Sequence, residues 1–155
     1  MRRDKFQDNF LQRQANERAA YSAGELREIE NLYQSGNANP NSQAAKESLE
    51  KLISNEKYSK SNRFGCALIY LATMSLVSDA QAIDYLKLAI EKYGDCWYGD
   101  GVNVASYARY ILAKKYRNMG DKEQAQVLFN EIQTNYPDSI DHLGNLLIDN
   151  IRKMN

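Results

Sequence analysis

The chain has 155 residues, 43% of them hydrophobic and 26% charged, with twenty Lys and Arg balanced by twenty Asp and Glu. That suits one folded domain, and a net formal charge of zero excludes bulk binding to nucleic acid or to an acidic membrane, both of which draw on a surplus of Lys and Arg. One histidine and two cysteines leave the ingredients of zinc sites and disulfide frameworks nearly absent, while two prolines, eight glycines and eleven tyrosines predict a helical chain whose tyrosines are packed or presented.

The basic start, Arg2, Arg3 and Lys5, leads into a polar stretch rather than the apolar core of a secretory signal. Residues 66–77, the longest apolar-leaning run, are broken by Thr73 and Ser75 and fall short of the roughly 20 residues that cross a bilayer. As written, the protein reads as cytoplasmic, or as periplasmic if a leader has been removed.

Apolar residues recur at three- and four-residue intervals, the signature of amphipathic helices. Residues 4–23 are helical in propensity but weakly patterned around Phe6, Phe10 and Leu11, as a docking helix or a frayed arm. Residues 25–33 present Leu26, Ile29, Leu32 and Tyr33; a turn-rich stretch at 35–41 follows; residues 42–53 present Ala45, Leu49, Leu52 and Ile53. Residues 61–77 carry Phe64, Ala67, Leu68, Leu71, Ala72 and Leu76, and Ser78-Asp79 caps a helix with Ala82, Ile83, Leu86, Ala89 and Ile90. The clearest pair comes next. Residues 104–116 show Ala108, Ile111, Leu112 and Tyr116 on one face, with Met119 continuing it, before Gly120 stops the helix and Asp121 caps its neighbour. That neighbour carries Ala125, Leu128, Phe129 and Ile132 and ends at Tyr136-Pro137. Asp138 or Ser139 is expected to start a last helix through Ile140, Leu143, Leu146, Leu147 and Ile151, closed by Arg152 and Lys153. The units so delimited are residues 1–23, 24–56, 60–93, 104–137 and 139–154 of a single domain spanning 1–155.

A lone hairpin cannot bury its apolar face, whereas stacked hairpins can. The third hairpin resembles a tetratricopeptide repeat: Leu112-Ala113 stands at the large-then-small position, Tyr116 at the aromatic position, Gly120-Asp121 at the turn, Ala125 and Phe129 on the second helix, and Tyr136-Pro137 at the terminator. Arg109 stands where the family has tryptophan, and Ile132 where it has a small residue. The resemblance implies an all-α fold: a right-handed superhelical array of antiparallel helical hairpins, an α-solenoid of about three such units plus a C-terminal capping helix.

It further implies a non-enzymatic adaptor that binds a protein or peptide on its concave face. Exposed first-helix positions there would be Tyr107, Tyr110, Lys114 and Arg117, with Asn145 on the last helix. Tyrosine offers an apolar body with a polar tip, and Lys or Arg can hold a carboxylate. Lys114, Lys115 and Arg117 are equally readable as a solvated helix end. Within residues 93–101, Trp97 and Tyr98 either form a rim contact or anchor the connection over exposed core, and the acids there do not meet the pattern of a calcium loop.

No catalytic residue, metal site or cofactor is expected. His142 reads as a surface or cap residue, Cys66 as core and Cys96 as an exposed thiol, and the chain lacks a phosphate loop or serine elbow. Two other readings stand beside the adaptor. One is a self-assembling repeat protein that stacks through Phe6, Phe10 and Leu11 or through the last helix into a homo-oligomer. The other is a cell-envelope assembly adaptor, because residues 129–139 look like the repeat edges of bacterial envelope assembly proteins.

Overall fold

The computed structural model describes residues 2–154, with side chains from residue 4 onward, so the basic side chains of Arg2 and Arg3 lie outside what is described. The described residues form eight α-helices: α1 (Arg2–Glu17), α2 (Ala23–Ala38), α3 (Gln43–Ser54), α4 (Asn62–Ala72), α5 (Asp79–Lys92), α6 (Val104–Asn118), α7 (Lys122–Asn135) and α8 (Leu147–Lys153). Most start at a side-chain cap that satisfies an orphan amide of the first turn. Ser22, Ser42, Ser61 and Ser78 accept from the third residue beyond them at α2 to α5, and Asn103 and Asp121 do so at α6 and α7. Ser22 and Glu25 form a reciprocal capping box, so α2 begins at Ala23, ahead of Leu26, its first large apolar residue.

The helices pack in succession as α2 with α3, α4 with α5 and α6 with α7. Each second helix also packs on the next first helix, and α4 touches both α2 and α6, so the first helices form one continuous layer. The fold is an all-helical, tetratricopeptide-like α-solenoid. Helix α4 lies at its centre: Phe64, Cys66, Ala67, Leu68, Ile69, Leu71 and Ala72 are all buried, and each large apolar side chain so enclosed contributes about 2 kcal/mol. A helix apolar on nearly every side must be covered on every side. Here α2, α3, α5 and α6 do that.

The chain departs from expectation in four places. Residues 35–38 are helix rather than turn, because Gly36 lies buried where α2 crosses α3, and the reversal is confined to residues 39–42. Helix α4 ends at Ala72, which leaves Leu76 in a connection and exposed. Met119 caps α6 and is also exposed. The last helix begins only at Leu147. Residues 138–146 form a loop in which Ile140 pairs with Leu146 as an isolated bridge, Gly144 takes a φ of 85°, and Leu143, 82% exposed, stands at the tip. Apolar spacing there mimicked a helix, but the Asp141 carboxylate captures the amides of Leu143 and Asn145 and turns the chain instead.

A Cβ added at Gly36 would stand 2.6 Å from Leu49 Cγ, an atom of a fully buried side chain. Gly36→Ala is therefore expected to destabilise the chain by about 1–2 kcal/mol in urea unfolding, although alanine is the better helix former. A stabilised variant would show that the two helices can separate at no cost.

Candidate functional site

Two connections border the layer of first helices. Residues 95–103 and 138–146 each carry the chain from a second helix back to the next first helix, and they follow the same backbone path. Tyr98 N donates to Val102 O at 2.8 Å and Asp141 N to Asn145 O at 2.9 Å; Val104 N donates to Cys96 O at 3.0 Å and Leu147 N to Ser139 O at 2.9 Å. The reversals fall at Gly101 and Gly144, with φ of 92° and 85°, where a side chain would be strained. Helix α8 therefore occupies in its unit the place that α6 occupies in the one before.

The first loop is held by one buried side chain. Asn62, at the start of α4, donates to Trp97 O and accepts from Trp97 N, both at 2.7 Å, while its own amide donates to the buried carboxylate of Glu17 at the end of α1. Successive residues of this extended segment then point to opposite sides. Trp97 turns outward and stacks on Phe6 of α1, at 5.6 Å between rings. Tyr98 turns inward, where its hydroxyl donates to Cys66 O at 3.1 Å and its ring meets Tyr107 and His142 edge to face. Helix α1 runs along the outside of these loops, with Arg13 beside Asp95 and Lys5 on Asp138.

On the inner side opens a cleft of about 420 Å³. Helix α2 lines it with Tyr33, Gln34 and Asn37, α4 with Arg63 and Tyr70, the end cap of α4 with Thr73, α6 with Tyr107, and the two loops with Tyr98, Asp100 and His142. The Arg63 guanidinium binds both oxygens of Glu30, at 2.9 and 3.0 Å, and lies 4.3 Å from the Tyr33 ring centroid. Partial burial works against ionisation of Glu30, but the hydrogen bonds from Arg63 and from Gln34 outweigh it and hold the carboxyl below its ordinary range. His142 Nδ1 meets Asp100 Oδ2 at 2.7 Å, a clasp between the two loops. Burial pushes the Tyr107 phenol up to about 12 and raises those of Tyr33 and Tyr98, so these hydroxyls keep their protons at any physiological pH.

The residues expected to bind a partner do not form one patch. Tyr107 is on the cleft wall. Tyr110 is not presented: it is 7% exposed and packed beneath Tyr107, with Lys114 over its ring at 5.2 Å. Arg117 is spent on the carbonyl of Met154, where it secures the end of α8. Asn145 is exposed on the second loop rather than on a helix. Trp97 is half-buried against α1, and Tyr98 belongs to the cleft floor rather than to a rim. Cys96, read as exposed, is fully buried, and burial pushes the Cys66 thiol up to about 12 and raises that of Cys96 as well. Sequence reasoning missed Tyr70, Arg63, Asp100 and His142 as cleft residues and took Tyr33 for packing alone. A tyrosine within the apolar run of α4 was a usable signal for Tyr70. Nothing local announces the His142–Asp100 clasp, which joins two separate connections.

Among the described residues, no group of three or more His, Cys, Asp or Glu side chains is placed to hold a metal ion, and no helix is long and apolar enough to cross a membrane. The family model of the tetratricopeptide repeat matches residues 107–139, which cover most of α6, all of α7 and the start of the second loop. No curated protein and no solved structure matches the chain.

Two measurements check this construction. Asn62→Ala strands the Trp97 amide and carbonyl away from water and is expected to cost about 3 kcal/mol of stability in denaturant unfolding; a loss below ~1 kcal/mol would mean that the loop holds itself. Because the Glu30 pKa is lowered on folding, its pairing with Arg63 contributes fully above the ordinary glutamate pKa of ~4.3 and is lost as pH falls below it. Stability should therefore fall less steeply between about pH 5 and 3 in Glu30→Gln than in the parent, and identical acid limbs would refute the pairing.

Proposed function

We propose that this chain, a tetratricopeptide-like array of helical hairpins, is a protein-interaction module that takes an extended peptide segment in the cleft between α2, α4 and α6. Tetratricopeptide repeats generally mediate protein–protein interaction, and residues 107–139 are such a repeat. The observation that carries the reading is the cleft itself. It is concave, it gathers tyrosines from successive first helices, and its lining is braced by the Arg63–Glu30 pair and by the His142–Asp100 clasp between the two loops. Braced side chains lose little freedom when a ligand arrives, which favours binding. An adaptor role needs no acid, base or nucleophile, and the two thiols are buried and protonated.

Selection from a displayed random-peptide library tests this reading. Selected peptides should bind the parent chain at least about tenfold more tightly than the double variant Tyr70→Ala, Tyr107→Ala, a difference of about 1.4 kcal/mol. Val127→Asp, on the exposed outer face of α7, should leave them unaffected. Peptides indifferent to the double variant would place the interaction on another face.

A further inference from the structure

The charged side chains that line the cleft, Arg63 and Asp100, already have partners. Arg63 holds Glu30 through two hydrogen bonds, and His142 meets Asp100 at 2.7 Å. A charged side chain or chain terminus entering here would find no opposite charge to spare, and an unpaired charge is unfavourable to bury. The cleft therefore fits a segment that is neutral.

What the cleft offers instead is aromatic faces and hydroxyls. Tyr33 and Tyr70 meet edge to face at 6.4 Å, and so do Tyr98 and Tyr107, which gives two aromatic notches along the row of first helices. The hydroxyls of Tyr21, Tyr58, Tyr93 and Tyr98 bond to the chain's own carbonyl or carboxylate oxygens. Among the described residues, no such bond engages the hydroxyls of Tyr33, Tyr70 or Tyr107. Protonated and carried by residues that line the cleft, they are donors that a ligand's acceptors can engage.

We infer that the cleft recognises an uncharged, proline-containing segment in the polyproline II conformation, an inference that rests on the cleft being a peptide site. A polyproline II strand has no internal hydrogen bonds, so its carbonyls are free to accept from tyrosine hydroxyls. Proline has no amide proton, so the segment asks for few acceptors in return. Its rings lie flat against aromatic side chains, and its conformation is set before binding, which limits the entropy lost.

The test is calorimetric titration of the full chain with a blocked proline peptide of about ten residues. Gly-Ser, Glu-rich and Lys-rich peptides of equal length serve as comparators. Binding of the proline peptide at least about tenfold tighter than any comparator is expected. Tyr70→Phe and Tyr107→Phe, which keep the ring and remove only the donor, should each weaken it about fivefold. Tyr70→Ala should abolish it while helical circular dichroism is retained. No binding of the proline peptide, a preference for a comparator, or indifference to all three tyrosine variants would overturn the inference. If the library still yields peptides that depend on Tyr70 and Tyr107 but lack proline, the peptide site stands and only its specificity falls; if library peptides too ignore both tyrosines, the site falls with it.

Discussion

A chain that folds as successive hairpins must return from each outer helix to the next inner one, and the returning segment carries backbone groups into the interior where water cannot serve them. The side chain of Asn62 answers that requirement. Its carboxamide pairs with both polar groups of Trp97 as a neighbouring strand would. Everything on the concave side follows from that pairing, because once Trp97 is fixed the alternation of the extended chain sends Tyr98 inward and the indole outward. Glu17 reaches the amide of the same asparagine and places a carboxylate at the start of α4, where the helix dipole favours it. One buried residue thus sets the positions of α1, the first loop and the floor of the cleft.

The tyrosines that dominate the composition divide by what their hydroxyls touch. Four act as struts: Tyr21, Tyr58, Tyr93 and Tyr98 tie helices and connections together through hydrogen bonds. Tyr110 and Tyr116 lie in the packing of α6. Tyr33, Tyr70 and Tyr107 line the cleft with hydroxyls that make no such bond among the described residues. The neutral net charge has a local counterpart, since the Arg63 guanidinium on the cleft wall is balanced by the Glu30 carboxylate.

Local chemistry made much of the fold legible. Ser78, Asp121, Gly120 and the Tyr136-Pro137 stop act through caps, a left-handed turn and a missing amide, all effects of residues a few positions apart, and the structure has α5, α6 and α7 begin or end at them. Gly36 misled because glycine marks a turn and a close helix crossing with the same letter, and only the approach of Leu49 decides between them. Residues 138–146 misled because Ile140, Leu146 and Leu147 bury as well from a hairpin-like loop as from a helix. The cleft was less legible. Arg63 with Glu30 and Asp100 with His142 are contacts between distant segments, and no spacing rule within one helix reaches that far.

The two loops share their hydrogen bonds almost entirely through the backbone, with glycine at the reversal. With that backbone frame in common, residues 95–103 and 138–146 keep one path while sharing few letters, each loop adding side-chain bonds of its own. Because α8 enters where α6 entered, the stretch from Val104 to the residue before Leu147 is a self-contained cassette. Repeated in frame, such a cassette would lengthen the inner surface by one helix and one loop at a time, which makes the reach of the cleft a matter of copy number rather than of new design.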